Sequence, residues 1–207
     1  MQKRCSHALD SSDTPMIMSD PEIHLLKMNV PNFLTALRIV SIPALVVVLI
    51  TQFKEKELVG FAIFCFATLT DTLDGFWARK KKQITVFGQL LDPIADKLLI
   101  TSTLICLVEL GLVPAWMAII IIGREIAVTG FRAIASSKGY NIPASLLGKA
   151  KMILETITVA LLILGKGYLR DFYFLAQVGL WLVIATAIFS AAEYYIKYGP
   201  RILSTRS

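Results

Sequence analysis

Six long apolar stretches constrain this chain more than anything else in it. They run over about 33–53, 58–78, 84–108, 112–135, 145–165 and 172–196; a helix needs about 20 mostly apolar residues to cross a bilayer. Uninterrupted runs of that length do not alternate as half-buried strands do, which sets aside a β-barrel. The connections are short, so consecutive helices should pack as antiparallel neighbours in one bundle. Composition agrees. Hydrophobic residues make up 56% of the 207 and charged residues 17%, against about 45–50% and about 25% for soluble domains. The expected fold is an all-α integral membrane bundle of six transmembrane helices. Cys5, Cys65 and Cys106 are too few and too scattered for a disulfide framework or a zinc site.

Residues 1–27 differ from the rest. They contain Asp10, Ser11, Ser12, Asp13, Pro15, Asp20 and Pro21 and no apolar core of the kind a signal peptide carries. We expect a cytoplasmic tail over 1–27 and the six-helix transmembrane domain over 28–207. A short surface helix near 21–27 and plain disorder are the two readings of the tail's end. Threading six spans from a cytoplasmic N-terminus puts Lys3, Arg4, Lys27, the run from Arg79 to Lys82, Lys138, Lys149, Lys151, Lys197, Arg201 and Arg206 on one side. The other side receives Lys54, Lys56, Lys166 and Arg170, offset by Glu55, Glu57 and Asp171. The positive-inside rule therefore places both termini in the cytoplasm. The net charge of +6 suits anionic lipid headgroups; with so many apolar spans, nucleic acid is not an expected partner.

The informative residues are charges where lipid should be. A charge at mid-bilayer costs about 2.5–3.5 kcal/mol on insertion scales, yet the second span holds Asp71 and Asp74 and the third holds Asp92, Asp96 and Lys97. At about 100° per residue, Asp71, Asp74, Gly75 and Ala78 share one face of the second helix. Gly88, Asp92 and Asp96 line one face of the third. Counted outward from the turn near Lys82 at about 1.5 Å per residue, the two pairs of acids reach similar depths, so a helical hairpin would gather all four in one pocket open to the cytoplasm. Converging carboxylates must be protonated or neutralised by cations. An all-oxygen set suits Mg²⁺, Mn²⁺ or Ca²⁺, and two ions about 3.5–4 Å apart are typical of phosphoryl chemistry. No His or Cys lies nearby, which argues against zinc. A proton relay or cation path in a transporter is the competing reading, but only Glu109, Glu155 and Asp171 continue towards the far side, in no continuous file.

The acids belong to a longer string: Asp71-x2-Asp74-Gly75-x2-Ala78-Arg79-x8-Gly88-x3-Asp92-x3-Asp96. At flat residue usage, eight identities at fixed spacing arise by chance at roughly 10⁻¹⁰ per start position. At every motif position the string resembles the signature of the CDP-alcohol phosphatidyltransferases. That resemblance implies a six-helix membrane enzyme, usually homodimeric, that moves a phosphatidyl group from a CDP-linked donor to an alcohol and releases CMP. Three flanking segments narrow it: Asn29-Val-Pro31-Asn32-Phe-Leu34-Thr35-x2-Arg38, Gly123-Arg124-Glu125-Ile126 with Thr129-Gly130-x-Arg132, and Gly148-Lys149-x-Lys151. They resemble bacterial members that use CDP-diacylglycerol as donor and sn-glycerol 3-phosphate as acceptor in the cytoplasmic membrane. Serine, inositol phosphate and phosphatidylglycerol are the alternative acceptors within the family.

The resemblance also implies roles. Asp71, Asp74, Asp92 and Asp96 would bind two divalent ions, Mg²⁺ or Mn²⁺, with Asp96 also the base. Asn32, Thr35, Asp71, Asp74, Gly75, Ala78, Arg79 and Gly88 would contact the donor. An acceptor phosphate needs Arg or Lys, and Arg124, Arg132, Lys149 and Lys151 are the candidates. Arg124 and Arg132 are eight residues apart, about 80° offset on a helix, so both can face one pocket. Against these stand plainer readings: helix packing for Gly75 and Ala78, topology for Arg79 and Lys151, and an ion pair with Glu125 for Arg124. Glu155 has no partner evident in the sequence and no assigned role.

Overall fold

The computed structural model describes residues 30–81, 86–137 and 146–203, with side chains over 35–70, 94–137 and 148–197. Six long helices account for nearly all of it: α1 (Val30–Ile50), α2 (Lys56–Lys81), α3 (Val86–Glu109), α4 (Ala115–Ser137), α5 (Leu146–Leu169) and α6 (Tyr173–Leu203). Among the described residues there is no strand, as expected. The segment Gly148–Lys197, which runs through α5 and α6, is long and apolar enough to cross a membrane, and the apolar helix Thr35–Ile50 is shorter. Pro43 lies inside α1. The expected tail over 1–27 and the turn at Lys82 lie outside the described residues.

The helix ends follow local chemistry. Gly111 closes α3 with a positive φ of 70°. The Leu112 amide donates to the Leu107 carbonyl and the Gly111 amide to that of Val108, both at 2.9 Å. This is the paired capping pattern that a glycine just past a helix supports. Pro114 sets the start of α4, its carbonyl accepting from the Met117 amide at 3.0 Å. At the other connection on this side, Gly165 takes a φ of 62° and breaks α5, and the Tyr168 hydroxyl donates to Glu55 at 2.7 Å.

The packing is not a simple ring of sequence neighbours. α1 lies broadly against both α2 and α3, and among the described residues α2 and α3 touch each other only sparingly. α5 and α6 form the most extensive pair, and α6 also covers α4. Small residues set these approaches. A Cβ on Gly60 would stand 2.8 Å from Leu49 Cδ2, and one on Gly179 would stand 2.6 Å from Thr158 Oγ1. The buried stripe Ala176, Leu180, Val183, Ala187, Ser190 and Tyr194 follows helical spacing along α6. Leu45, Leu49, Phe64, Leu99, Leu104, Leu107, Leu162 and Ile163 fill the shared core. No direct packing joins the α4 and α5 backbones among the described residues, and the polar site occupies that interval.

Candidate active site

Helix directions bring the charged segments to one end of the bundle. α1 and α3 begin there, α2 and α4 finish there, and α5 begins there. Asp71, Asp74, Gly75, Ala78 and Arg79 belong to α2, and Gly88, Asp92 and Asp96 to α3. Of these eight, the side chain of Asp96 is described, and the other seven lie outside the described side chains, as does that of Asn32. Thr35 and Arg38, one turn apart on α1, are 2% and 1% exposed. Arg38 is therefore inside the bundle.

Asp96 is half-buried and lines a cavity between α3, α4 and α5, together with Lys97, Thr101, Glu125, Glu155 and Thr156. A network of buried charge crosses its far wall. Arg124 donates to Glu125 Oε1 at 2.7 Å and also to the Ser190 hydroxyl of α6. Lys151 donates to that same Glu125 oxygen and pairs with Glu155 Oε2 at 2.8 Å. One carboxylate oxygen of α4 thus receives a guanidinium from its own helix and an ammonium from α5. The Lys151 side chain is fully enclosed, and those of Arg124 and Glu125 are 10% and 18% exposed. Arg124 Nε and Glu155 Oε1 are buried with no hydrogen-bond partner among the described residues. Two cations and two carboxylates balance, which is what lets the group sit in a low-dielectric interior.

The four acceptor candidates thus divide. Arg132 and Lys149 are exposed on α4 and α5. Arg124 is held on two sides and keeps Nε unused. Lys151 is turned entirely to Glu125 and Glu155. The expected Arg124–Glu125 ion pair is present, and Glu155 has the partner that sequence left unnamed; its signal was the i, i+4 spacing from Lys151. Sequence reasoning gave no role to Lys97, Thr129 or Ser190. Lys97 donates to the Thr129 hydroxyl, and Thr129 in turn donates to the Glu125 carbonyl at 2.6 Å.

A carboxylate and a network of paired cations thus meet around one cavity between α3, α4 and α5, an arrangement that can serve phosphoryl chemistry. The family comparison agrees: residues 28–190 match the CDP-alcohol phosphatidyltransferase model, and the chain belongs to that family. It is similar to the CDP-diacylglycerol–glycerol-3-phosphate 3-phosphatidyltransferase of Bacillus subtilis (strain 168), 38% identical over 183 residues, covering 82% of this chain and 94% of that protein. The protein of the same name from Rickettsia bellii (strain RML369-C) is 32% identical over 169 residues, covering 81% and 93%.

Proposed function

We propose that this chain transfers the phosphatidyl group of CDP-diacylglycerol to sn-glycerol 3-phosphate, giving phosphatidylglycerophosphate and CMP for phospholipid synthesis. One observation carries the site assignment: Asp96, the last acid of the motif, shares a cavity with the α4–α5 charge network. The enzyme works in the cytoplasmic membrane as a six-span homodimer with both termini and the site on the cytoplasmic side. In support of the membrane setting, Ile119, Ile126 and Phe189 are about 70% exposed, apolar surface that lipid covers without cost.

Asp71 and Asp74, one turn apart on α2, and Asp92 and Asp96, one turn apart on α3, offer an all-oxygen donor set, which fits Mg²⁺ or Mn²⁺. These four carboxylates would hold two such ions, whose charge would offset that of the donor's pyrophosphate and the departing CMP. The chain's own residues do the rest. Asn32, Thr35, Gly75, Ala78, Arg79 and Gly88 hold the donor. Arg124, Arg132 and Lys149 bind the acceptor's phosphate, and Lys151 acts through Glu125, which it shares with Arg124. Asp96 takes the proton of the acceptor's 1-hydroxyl as that oxygen attacks the β-phosphorus; the bond to CMP breaks and CMP leaves with the electron pair.

The test is CMP release from CDP-diacylglycerol by purified protein in detergent with Mg²⁺, with and without glycerol 3-phosphate, beside Asp92→Asn. Release that requires both the acceptor and Asp92 is expected. Release with serine, inositol phosphate or phosphatidylglycerol in place of glycerol 3-phosphate would replace the acceptor. No release with any alcohol from folded protein would overturn the enzyme assignment.

A further inference from the structure

Lys97 lines the cavity between α3, α4 and α5, and Arg124 and Lys151 pair with the carboxylates of its wall. Arg124 is paired with Glu125, and Lys151 with Glu125 and Glu155. Lys97 is the exception. Its ammonium donates to a hydroxyl, that of Thr129, and among the described residues no carboxylate lies within ion-pair distance of it. An ammonium has three donors, so two remain. Thr129 is fixed by its own donation to the Glu125 carbonyl, which leaves its lone pairs facing Lys97 and holds the ammonium at the wall of α4. Glu125, Arg132, Asp96 and Arg124 are all electrostatic neighbours of Lys97.

We propose that Lys97 is a further acceptor-binding residue: it takes the acceptor's phosphate together with Arg124 and Arg132, and so fixes the span between that phosphate and the hydroxyl at Asp96. This rests on the reading that the α4 cations bind the acceptor. Lys97 follows Asp96 directly on α3, so the ligand's two ends are held by adjacent residues of one rigid helix, one at the reacting oxygen and one at the phosphate. A short phosphorylated polyol fits that spacing, and an alcohol lacking the phosphate leaves the cation unmatched. Discrimination for the phosphate follows from the same charge that positions it.

The experiment compares Lys97→Met, Lys97→Gln and Lys97→Arg with the parent in CMP release, and measures equilibrium binding of glycerol 3-phosphate to the same proteins by calorimetry. Loss of one charge-assisted hydrogen bond corresponds to about 10- to 100-fold. Lys97→Met is expected to raise KM and Kd for glycerol 3-phosphate by that factor, with KM for CDP-diacylglycerol unchanged and Lys97→Arg recovering most of the loss. Lys97→Gln keeps a donor to Thr129 without the charge and is expected to behave as Lys97→Met does; it decides the matter if Lys97→Met does not fold. Unchanged acceptor KM and Kd in Lys97→Gln would overturn the proposal. So would equal losses for both substrates with a lowered Tm, which would make Lys97 a tie between α3 and α4. Arg124→Ala and Arg132→Ala run alongside. If they raise the acceptor KM and Lys97→Gln does not, only this inference falls; if none of the three does, the acceptor pocket itself is misplaced.

Discussion

Lys151 Nζ sits 2.8 Å from Glu155 Oε2, one turn along the same helix, with both side chains almost fully enclosed. The same ammonium reaches across to Glu125 of α4, so a single buried cation joins two helices whose backbones do not pack directly. Removing it strands charge. Breaking a buried pair by deleting one partner costs about 3–5 kcal/mol, and Lys151→Met is expected to lower Tm in detergent accordingly. Lys151→Met with Glu155→Leu removes both charges and leaves Glu125 to Arg124. The double variant should recover most of the lost stability, because replacing a buried pair with apolar groups is often neutral. A double variant no more stable than Lys151→Met would show that Glu125, not Glu155, is the partner that matters.

Arg124 offers a separable prediction for activity. It donates to Glu125 and Ser190, and its Nε is buried with no hydrogen-bond partner among the described residues. Arg124→Ala is expected to raise KM for glycerol 3-phosphate by about 10- to 100-fold, the value of one charge-assisted hydrogen bond. Ser190→Ala removes only the α6 contact that orients the guanidinium and should cost less than tenfold. Steady-state CMP release at saturating donor measures both, and an unchanged Michaelis constant in Arg124→Ala would take it out of the pocket.

Gly179 marks the closest crossing of α5 and α6. A Cβ there meets Thr158 Oγ1 at 2.6 Å and Thr158 Cβ at 3.3 Å. Threonine branches at Cβ, so its hydroxyl has little freedom to retreat. Gly179→Ala is expected to destabilise by about 1–3 kcal/mol, the usual range for overpacking. Thr158→Ala in the same chain should relieve most of it, as read by Tm. Equal Tm for Gly179→Ala and the parent would mean that the helices separate freely here.

The helices were legible because apolar runs and terminal signals coincide: Gly111 and Pro114 punctuate α3 and α4 where sequence ends one span and starts the next. The arrangement of the helices was less so: α1 lies against both α2 and α3, and an apolar face does not reveal which other apolar face it meets. The motif acids declared themselves by being charged inside apolar runs. Lys151 was grouped with the phosphate ligands because its charge could be read and its burial could not. Glu155 had its partner four residues away, but the second link, to Glu125, joins positions 26 residues apart and exists only after folding. Lys97 went without a role because its neighbour Asp96 already explained the segment, and nothing in the sequence places Thr129 beside it.

In the proposed mechanism Asp96 is both base and metal ligand, and these two roles separate by substitution. As base it must accept a proton; as ligand it must carry charge. Asp96→Asn removes both and is expected to lower kcat by about 10²–10⁴-fold, the usual contribution of a positioned base. Asp92→Asn removes a ligand alone, so added Mn²⁺ should recover part of its activity and none of that of Asp96→Asn. Chelation by EDTA should abolish CMP release in the parent, with Mg²⁺ or Mn²⁺ restoring it. Metal binding measured directly by calorimetry gives the second readout: both variants should bind less tightly than the parent, because each lost carboxylate removes an anionic oxygen from the set. Recovery of Asp96→Asn by Mn²⁺ to the same degree as Asp92→Asn would make Asp96 a ligand only, and the proton would then leave by another acceptor in the cavity.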